Sequence, residues 1–345
     1  MPEYTSTIRV FYPHSPGDLV LRSALDWNRD LEPERVDPEA RMAEFRIRSE
    51  NSYLEYKPCL RRPQGFSWSV GTNKLALLTS GAPSDVYPSF FSGLRGRITG
   101  PIPIWSGILG RALVLRIYLP PSYDENDLKR YPVLYMQDGK NLFFPDEAFL
   151  GHAWEVDETL DRLDEMNVID QVIVVGIHTD DRFGDYTQPG VELYGRALLE
   201  QVKPWIDGNL RTLTGPRNTA ILGSSLGGVA ALFLAWTAPQ VFGLACCLSS
   251  TFGYRDDLLA RVRREGRAGR EGLRLYLDSG WPNDNYEVTL SLAAALIEAG
   301  FGLGLDLVHI AFPLARHDEL AWSSRVHFSL QLFSGKLRRL ADLHG

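Results

Sequence analysis

Residues 218–231 read Asn218-Thr-Ala-Ile-Leu-Gly-Ser-Ser-Leu-Gly-Gly-Val-Ala-Ala, which is a short apolar strand, a tight turn and a helix of small residues. A nucleophile elbow of the G-x-S-x-G type requires this strand–turn–helix context. The residues two before and two after the nucleophile must be small, because strand and helix cross closely there. Gly223 and Gly227 meet this requirement for Ser225, whereas Ser224 has leucines at the same offsets. The stretch therefore predicts Ser225 as a nucleophile at the end of a central strand.

The composition is that of an ordinary globular protein. The chain has 345 residues, of which 44% are hydrophobic and 23% charged, and this length favours one large domain with a smaller one. The net charge of −7 argues against nucleic acid or an anionic membrane as the main partner. No apolar stretch is long enough to span a bilayer, and the N-terminus lacks a basic segment followed by an apolar one. We therefore expect a cytoplasmic protein.

The first part of the chain has the hydrophobic pattern of short strands. Up to about residue 95, alternating runs such as residues 7–12 and 42–47 are separated by Pro, Gly, Asp and Asn. This pattern predicts a small β-sandwich domain over residues 1–95, with residues 80–89 as a linker at its end. We expect the sandwich to shape the substrate entrance or to form a contact in a homo-oligomer. Its aromatic residues form either its core or a carbohydrate-binding platform: Trp27, Tyr53, Tyr56 and Trp68.

The second part, residues 96–345, has a different pattern. Near-continuous apolar segments alternate with helical ones, and these segments are residues 113–119, 132–136, 171–177, 219–223, 244–249, 273–277 and 305–312. Such alternation predicts an α/β domain with a mostly parallel sheet covered by helices on both faces. Functional residues of these sheets follow the carboxyl ends of the strands.

A serine nucleophile needs a base and a carboxylate that orients the base, and in α/β-hydrolases the chain order is Ser, Asp or Glu, His. His317 follows the last predicted strand, where the base must lie, whereas His309 falls inside that strand and His327 in a C-terminal helical pattern. For the acid we favour Asp284, because the Gly/Pro turn before it can reach back toward the histidine. Asp278, directly after the preceding strand, remains an alternative.

The remaining predicted site residues stabilise charge or contact substrate. The backbone N–H of Leu226 and that of Gly139 or Lys140, in the loop after the third strand, are the expected oxyanion donors. Four side chains on loops near the expected pocket mouth are candidates for substrate contact, with packing as the alternative role for the tryptophans: Trp154, Arg182, Trp281 and Trp322. Arg182 is expected to hold an anionic group of the substrate or a structural carboxylate.

Several stretches together resemble one branch of the α/β-hydrolases. They are Arg116-Ile-Tyr-Leu-Pro-Pro-Ser-Tyr, Tyr131-Pro-Val-Leu-Tyr-Met-Gln-Asp-Gly-Lys-Asn-Leu-Phe, Val174-Val-Gly-Ile, Gly223-Ser-Ser-Leu-Gly-Gly, Asp278-Ser-Gly-Trp-Pro-Asn-Asp and His317-Asp-Glu-Leu-Ala-Trp. The chain is similar in them to esterases that include enterochelin and other siderophore esterases and feruloyl esterases. The resemblance implies an α/β-hydrolase fold after an N-terminal immunoglobulin-like sandwich, with nucleophile, acid and base at Ser225, Asp284 and His317.

These observations predict a serine esterase that needs no cofactor or metal, because the histidines are dispersed and no phosphate-binding glycine loop is present. The expected partner is a small-molecule ester, siderophore-like before feruloyl-like. A non-catalytic, ligand-binding protein with the hydrolase fold is the alternative.

Overall fold

The structure is a computed structural model that describes residues 4–14, 16–63, 65–79 and 83–336. Within these residues, no helix combines the length and the apolar character needed to cross a membrane.

The N-terminal part consists of two β-sheets that share one core. Strands β1, β4, β5 and β9 form one sheet in the order β4-β5-β1-β9, and the other has the order β3-β2-β6-β7 with β8 on β6. Alternate residues such as Ile8, Phe45, Leu21 and Tyr56 point into the shared core. The predicted small all-β sandwich is therefore confirmed. The strands are β1 (Tyr4–Phe11), β2 (Leu19–Ser23), β3 (Asp26–Leu31), β4 (Arg35–Asp37), β5 (Met42–Ser49), β6 (Tyr53–Arg62), β7 (Gly65–Trp68), β8 (Lys74–Leu77) and β9 (Ser84–Val86).

The predicted linker is wrong for part of its length. Ser84–Val86 is the edge strand β9, which pairs in parallel with β1. Asp85 forms an ion pair with Arg9 across this pairing, and Val86 is buried in the core. The Gly, Pro and Ser content of the stretch predicted a linker because it does not reveal a pairing with a strand far away in the sequence. Residues 80–82 of the predicted linker lie outside the described residues.

The aromatic residues of the sandwich divide between its core and its surface. Tyr56 is buried in the core, whereas Tyr53 is exposed. The rings of Trp27 and Trp68 lie 6.3 Å apart, and the guanidinium of Arg22 lies 5.3 Å from the Trp68 ring. Cation–π packing therefore already occupies part of the surface that would form a carbohydrate platform.

The second part is built on a large, mostly parallel sheet of order β10-β12-β14-β13-β15-β16-β17-β18, with β11 paired to β12. Strands β13 to β18 run in parallel, and β12 is antiparallel to β14. The predicted α/β-hydrolase architecture is confirmed. The strands are β10 (Arg97–Ile98), β11 (Ile102–Ser106), β12 (Arg111–Leu119), β13 (Val133–Met136), β14 (Ile173–His178), β15 (Thr219–Ser224), β16 (Leu244–Leu248), β17 (Arg274–Trp281) and β18 (Leu307–Pro313).

Helices cover both faces of this sheet. Helices α1 and α8 pack on one face, and α3 to α7 on the other. Helix α5, which follows the elbow, is buried from Leu226 to Trp236, and such a helix must be apolar on all sides. The helices are α1 (Val156–Glu165), α2 (Arg182–Tyr186), α3 (Gly190–Ala197), α4 (Lys203–Asn209), α5 (Leu226–Thr237), α6 (Leu258–Glu265), α7 (Tyr286–Glu298) and α8 (Glu319–Ser334), with a π-helical segment, Leu198–Val202, between α3 and α4.

The two parts are joined through the loop after β12. The Glu125 carboxylate accepts hydrogen bonds from the backbone N–H groups of Phe90, Phe91 and Ser92, and from the hydroxyls of Ser92 and Tyr12. Next to it, the Asn126 side chain donates to two carbonyl groups of the N-terminal part. Burial raises the pKa of Glu125, but these hydrogen bonds outweigh it and hold the pKa below its usual value.

Candidate active site

Ser225 lies in a strained turn between β15 and α5. Its backbone has φ 53° and ψ −122°, which is rare for a residue with a side chain and indicates a conformation imposed by the surrounding fold. A Cβ added at Gly223 would overlap the backbone carbonyl of Gly227, and one added at Gly228 would overlap the Ser250 hydroxyl. The close crossing expected from the sequence is present, and it involves Gly228 as well.

His317 contacts Ser225 on one side and an aspartate on the other. Its Nε2 lies 3.0 Å from Oγ of Ser225, and its Nδ1 lies 2.7 Å from Oδ1 of Asp284. The imidazole packs edge-on against the Trp322 ring at 5.0 Å. Next in the chain, Asp318 caps helix α8 through a hydrogen bond from the Ala321 N–H, which fixes the loop after β18.

Asp284 is the aspartate that reaches the histidine. The chain doubles back after β17, so that Asp284 pairs with Gly280, whose N–H donates to Oδ2 at 2.6 Å. The Ser249 hydroxyl donates to the same oxygen at 2.5 Å. Burial raises the pKa of Asp284, but hydrogen bonds from His317, Ser249 and Gly280 outweigh it, so the pKa lies below its usual value. Asp284 is therefore an anion at neutral pH.

Asp278 lies behind Asp284 and has other partners. It accepts a hydrogen bond from the Tyr276 hydroxyl at 2.9 Å and pairs with Arg325 at 3.2 Å. Burial raises the pKa of Asp278 to about 6, although Arg325 acts against this. Of the two aspartates that the sequence left open, the structure brings Asp284 to His317.

The loop after β13 lies beside the start of α5. Gly139 is buried, and a Cβ added there would overlap the backbone of β14 at Gly176. A Cβ added at Gly227 would lie 3.0 Å from the Gln137 side chain. Leu226 is the first residue of α5, so its N–H has no partner within the helix. The residues predicted to bind an oxyanion thus belong to two segments in contact, the loop after β13 and the start of α5. The ammonium group of Lys140 pairs with Asp180.

Arg182 holds this loop through a carboxylate. Its Nε and Nη2 groups lie 2.7 and 2.9 Å from the two oxygens of Asp138, which is buried. Burial raises the pKa of Asp138, with Arg182 opposing the shift. The Arg182 side chain is still 43% exposed. Of the two roles expected from the sequence, the structure contains the pairing with a structural carboxylate.

The three predicted substrate-binding tryptophans lie in different environments. Trp154 is 0% and Trp322, on helix α8, is 5% exposed, and their rings lie 5.8 Å apart in the core. Trp154 has no surface with which to contact a substrate, which corrects that assignment, because helices α1 and α8 cover its loop. Trp281 is 51% exposed.

Sequence patterns alone did not identify two groups of residues at this site. Ser249 and Arg325 support Asp284 from the loop after β16 and from α8. The only signal for Arg325 is a lone charge among the buried residues Trp322, Val326 and Ser329 of α8. The second group consists of exposed apolar side chains close in the chain to residues of the site or of the loop after β13: Phe149, Leu150, Phe183, Leu314 and Leu320.

The chain resembles known proteins in sequence and in fold. It is 28% identical over 154 residues to the uncharacterized protein YbbA of Bacillus subtilis, a match that spans 41% of this chain and 57% of that relative. A solved ferulic acid esterase has a TM-score of 0.58 at 19% identity, covering 70% of this chain and 98% of that one. The enterobactin esterase of Shigella flexneri has a TM-score of 0.54 at 14% identity, covering 96% and 93%.

The sequence profile of one family covers both the elbow and the turn that carries Asp284. This profile, described as "Esterase: Putative esterase", matches residues 106–300, more than half of the chain. It begins before the antiparallel strand β12 and ends after α7, so it spans most of the large sheet. The chain is therefore a member of this esterase family.

Proposed function

We propose that the protein is a serine carboxylic-ester hydrolase that forms an acyl-enzyme, with Ser225, His317 and Asp284 as its catalytic residues. One observation carries the proposal, the chain of contacts from Asp284 through His317 to Ser225 beside the strained elbow. A nucleophile, a base and an orienting acid are the groups that acyl transfer requires. Membership of the esterase family supports the same reaction.

The geometry supports a specific acylation step. Nε2 of His317 accepts the hydroxyl proton while Oγ of Ser225 forms a bond to the ester carbonyl carbon. The negative charge on the carbonyl oxygen is stabilised by the N–H groups of Leu226 and of Gly139 or Lys140. When the bond to the alcohol oxygen breaks, His317 gives its proton to the alcohol. Asp284 orients Nδ1–H and stabilises the imidazolium.

Water then releases the acid. His317 takes a proton from a water molecule whose oxygen attacks the acyl carbon. The bond to Oγ breaks and His317 returns the proton to Ser225, so that the products are a carboxylic acid and an alcohol.

The substrate class follows from the surroundings of the serine. Exposed apolar side chains that are near the site residues in the chain, such as Phe183 next to Arg182, Trp281 before Asp284 and Leu314 before His317, suit an ester with an aromatic or other apolar group. We place siderophore-like aromatic esters before feruloyl esters. The fold likeness to an enterobactin esterase, which extends over the N-terminal sheets, supports this order.

The experiment is hydrolysis of p-nitrophenyl esters by wild type, Ser225→Ala and the matched control Ser224→Ala. We expect turnover by wild type and control, no turnover by Ser225→Ala, and labelling of Ser225 by a phosphonate. Equal activity of wild type and Ser225→Ala would contradict the proposal. A ligand that raises the melting temperature without any turnover would indicate a binding protein instead. Parallel kinetics on a catecholate trilactone, methyl ferulate and short acyl esters rank the substrates.

A further inference from the structure

A buried polar network continues behind Asp284, away from His317. Nη2 of Arg325 donates to the Ser249 hydroxyl, and that hydroxyl donates to Oδ2 of Asp284. The same Nη2 lies 3.2 Å from Oδ1 of Asp278 and 3.6 Å from Oδ2 of Asp284. One guanidinium nitrogen thus contacts both aspartates and the hydroxyl between them.

Arg325 is buried, and a buried cation costs free energy unless its charge is compensated. The residue is 2% exposed, and among the described residues its Nε and Nη1 atoms have no hydrogen-bond partner. Its charge is compensated by Asp278 and Asp284 and by the face of Phe312, whose ring centre is 5.3 Å away. A buried ion group of this kind rarely adds stability over an apolar packing of equal size. Its presence on the buried side of α8 therefore points to a role at the site.

Two neighbouring buried carboxylates repel each other, and a cation that contacts both lets both stay ionised. Asp284 adds to the forces that raise the pKa of Asp278, and Arg325 lowers it. The Ser249 backbone is held on two sides, since the Asn285 side chain donates to the Ser249 carbonyl and Asp278 accepts from the Ser249 N–H. Ser249 thus has a defined orientation toward Asp284.

We propose that Arg325 is a positioning residue for the catalytic acid, acting through Ser249. Its Nη2 group fixes the direction of the Ser249 O–H bond, and its charge offsets that of Asp278, so that Asp284 remains an anion aimed at His317. This inference rests on the proposed function of Ser225, His317 and Asp284.

The test compares kcat and KM for a p-nitrophenyl ester in Arg325→Met, Arg325→Lys, Ser249→Ala and the double variant Ser249→Ala/Arg325→Met. Supporting hydrogen bonds around metal-bound histidines are worth roughly 10- to 100-fold, and we expect kcat losses of this order in Arg325→Met and Ser249→Ala with KM nearly unchanged. Arg325→Lys keeps the charge and should recover part of kcat. In the double variant the losses should not multiply, because Arg325 acts through the hydrogen bond from Ser249 to Asp284, which Ser249→Ala already removes.

The matched control is Arg270→Met. Arg270 is also largely buried, pairs with Glu265 and stacks on Trp236, but it lies on the opposite face of the sheet. We expect Arg270→Met to lower the melting temperature without lowering kcat of the folded enzyme. If Arg325→Met does not fold, Ser249→Ala and Arg325→Lys still carry the test.

The outcomes separate the two proposals. Unchanged kcat in Ser249→Ala and Arg325→Met, or losses that multiply in the double variant, overturns the positioning role. If Ser225→Ala is inactive in that same assay, the proposed function stands although the positioning role of Arg325 does not. If Ser225→Ala is fully active, the proposed function itself fails.

Discussion

Nδ1 of His317 lies 2.7 Å from Oδ1 of Asp284, whereas Asp278 is engaged by Tyr276 and Arg325. We therefore expect Asp284→Asn to lose about 10⁴-fold in kcat, the size found when the acid of a serine protease triad becomes an amide. Asp278→Asn should keep most of its activity. Esterase kinetics on the two folded variants check this, and the opposite ranking would transfer the role of the acid to Asp278.

The elbow should not tolerate a side chain at Gly223. A methyl group there would overlap the Gly227 carbonyl, so that strand β15 and helix α5 would have to separate. We expect Gly223→Ala to lose activity and to melt at a lower temperature than wild type. Gly208→Ala is the control, because Gly208 lies in α4 with open space around its Cα. That variant should be neutral or stabilised by up to about 1 kcal/mol. Equal behaviour of the two variants would refute the steric argument.

The pair between Arg182 and Asp138 should matter for turnover even of a neutral ester, because it holds the loop that carries Gly139 and Lys140. We expect Arg182→Met to lower kcat, since it leaves the buried Asp138 carboxylate without its cation. The double variant Asp138→Asn/Arg182→Met should be less impaired than Arg182→Met alone. A rise in KM confined to anionic esters would instead indicate that Arg182 binds substrate directly. Arg196→Met, at an exposed surface pair on α3, is the control.

Lys129 should make stability depend on pH. Its ammonium donates to Gln171 beside a cavity of about 90 Å³ between the sandwich and the α/β part, and burial lowers its pKa to about 8. The pKa of a lysine in an unfolded chain is about 10.4. Between these values the unfolded chain holds a proton that the folded protein has lost, so the Lys129 contribution to stability rises with pH.

The measurement is urea unfolding of wild type and Lys129→Met at pH 7.5 and 9.5. We expect the stability of wild type relative to the variant to rise by up to about 2 kcal/mol over this interval. Parallel changes in both proteins would show that Lys129 does not titrate in this window.

The sequence predicted those parts of the site that local rules determine. Ser225 followed from small residues at fixed offsets and His317 from its place after the last predicted strand, whereas Asp284 was favoured because of the Gly/Pro turn before it, with Asp278 left as the alternative. The tryptophans illustrate the limit, because the sequence placed both Trp154 and Trp281 on loops near the pocket, whereas helices α1 and α8 cover Trp154 and Trp281 ends β17 with its side chain exposed. Arg325 lies 76 residues from Ser249, so no local pattern could pair them.

The attachment of Glu125 constrains how this chain can evolve by exchange of segments. Its carboxylate accepts hydrogen bonds from three backbone N–H groups and two hydroxyls, all of them from residues 12 and 90–92, which precede the large sheet. A recombination event that replaced the sandwich would leave this half-buried anion without the donors that keep it ionised. The loop after β12 and the segment that wraps it must therefore be inherited together, and the natural crossover point lies inside the esterase fold, beyond residue 126.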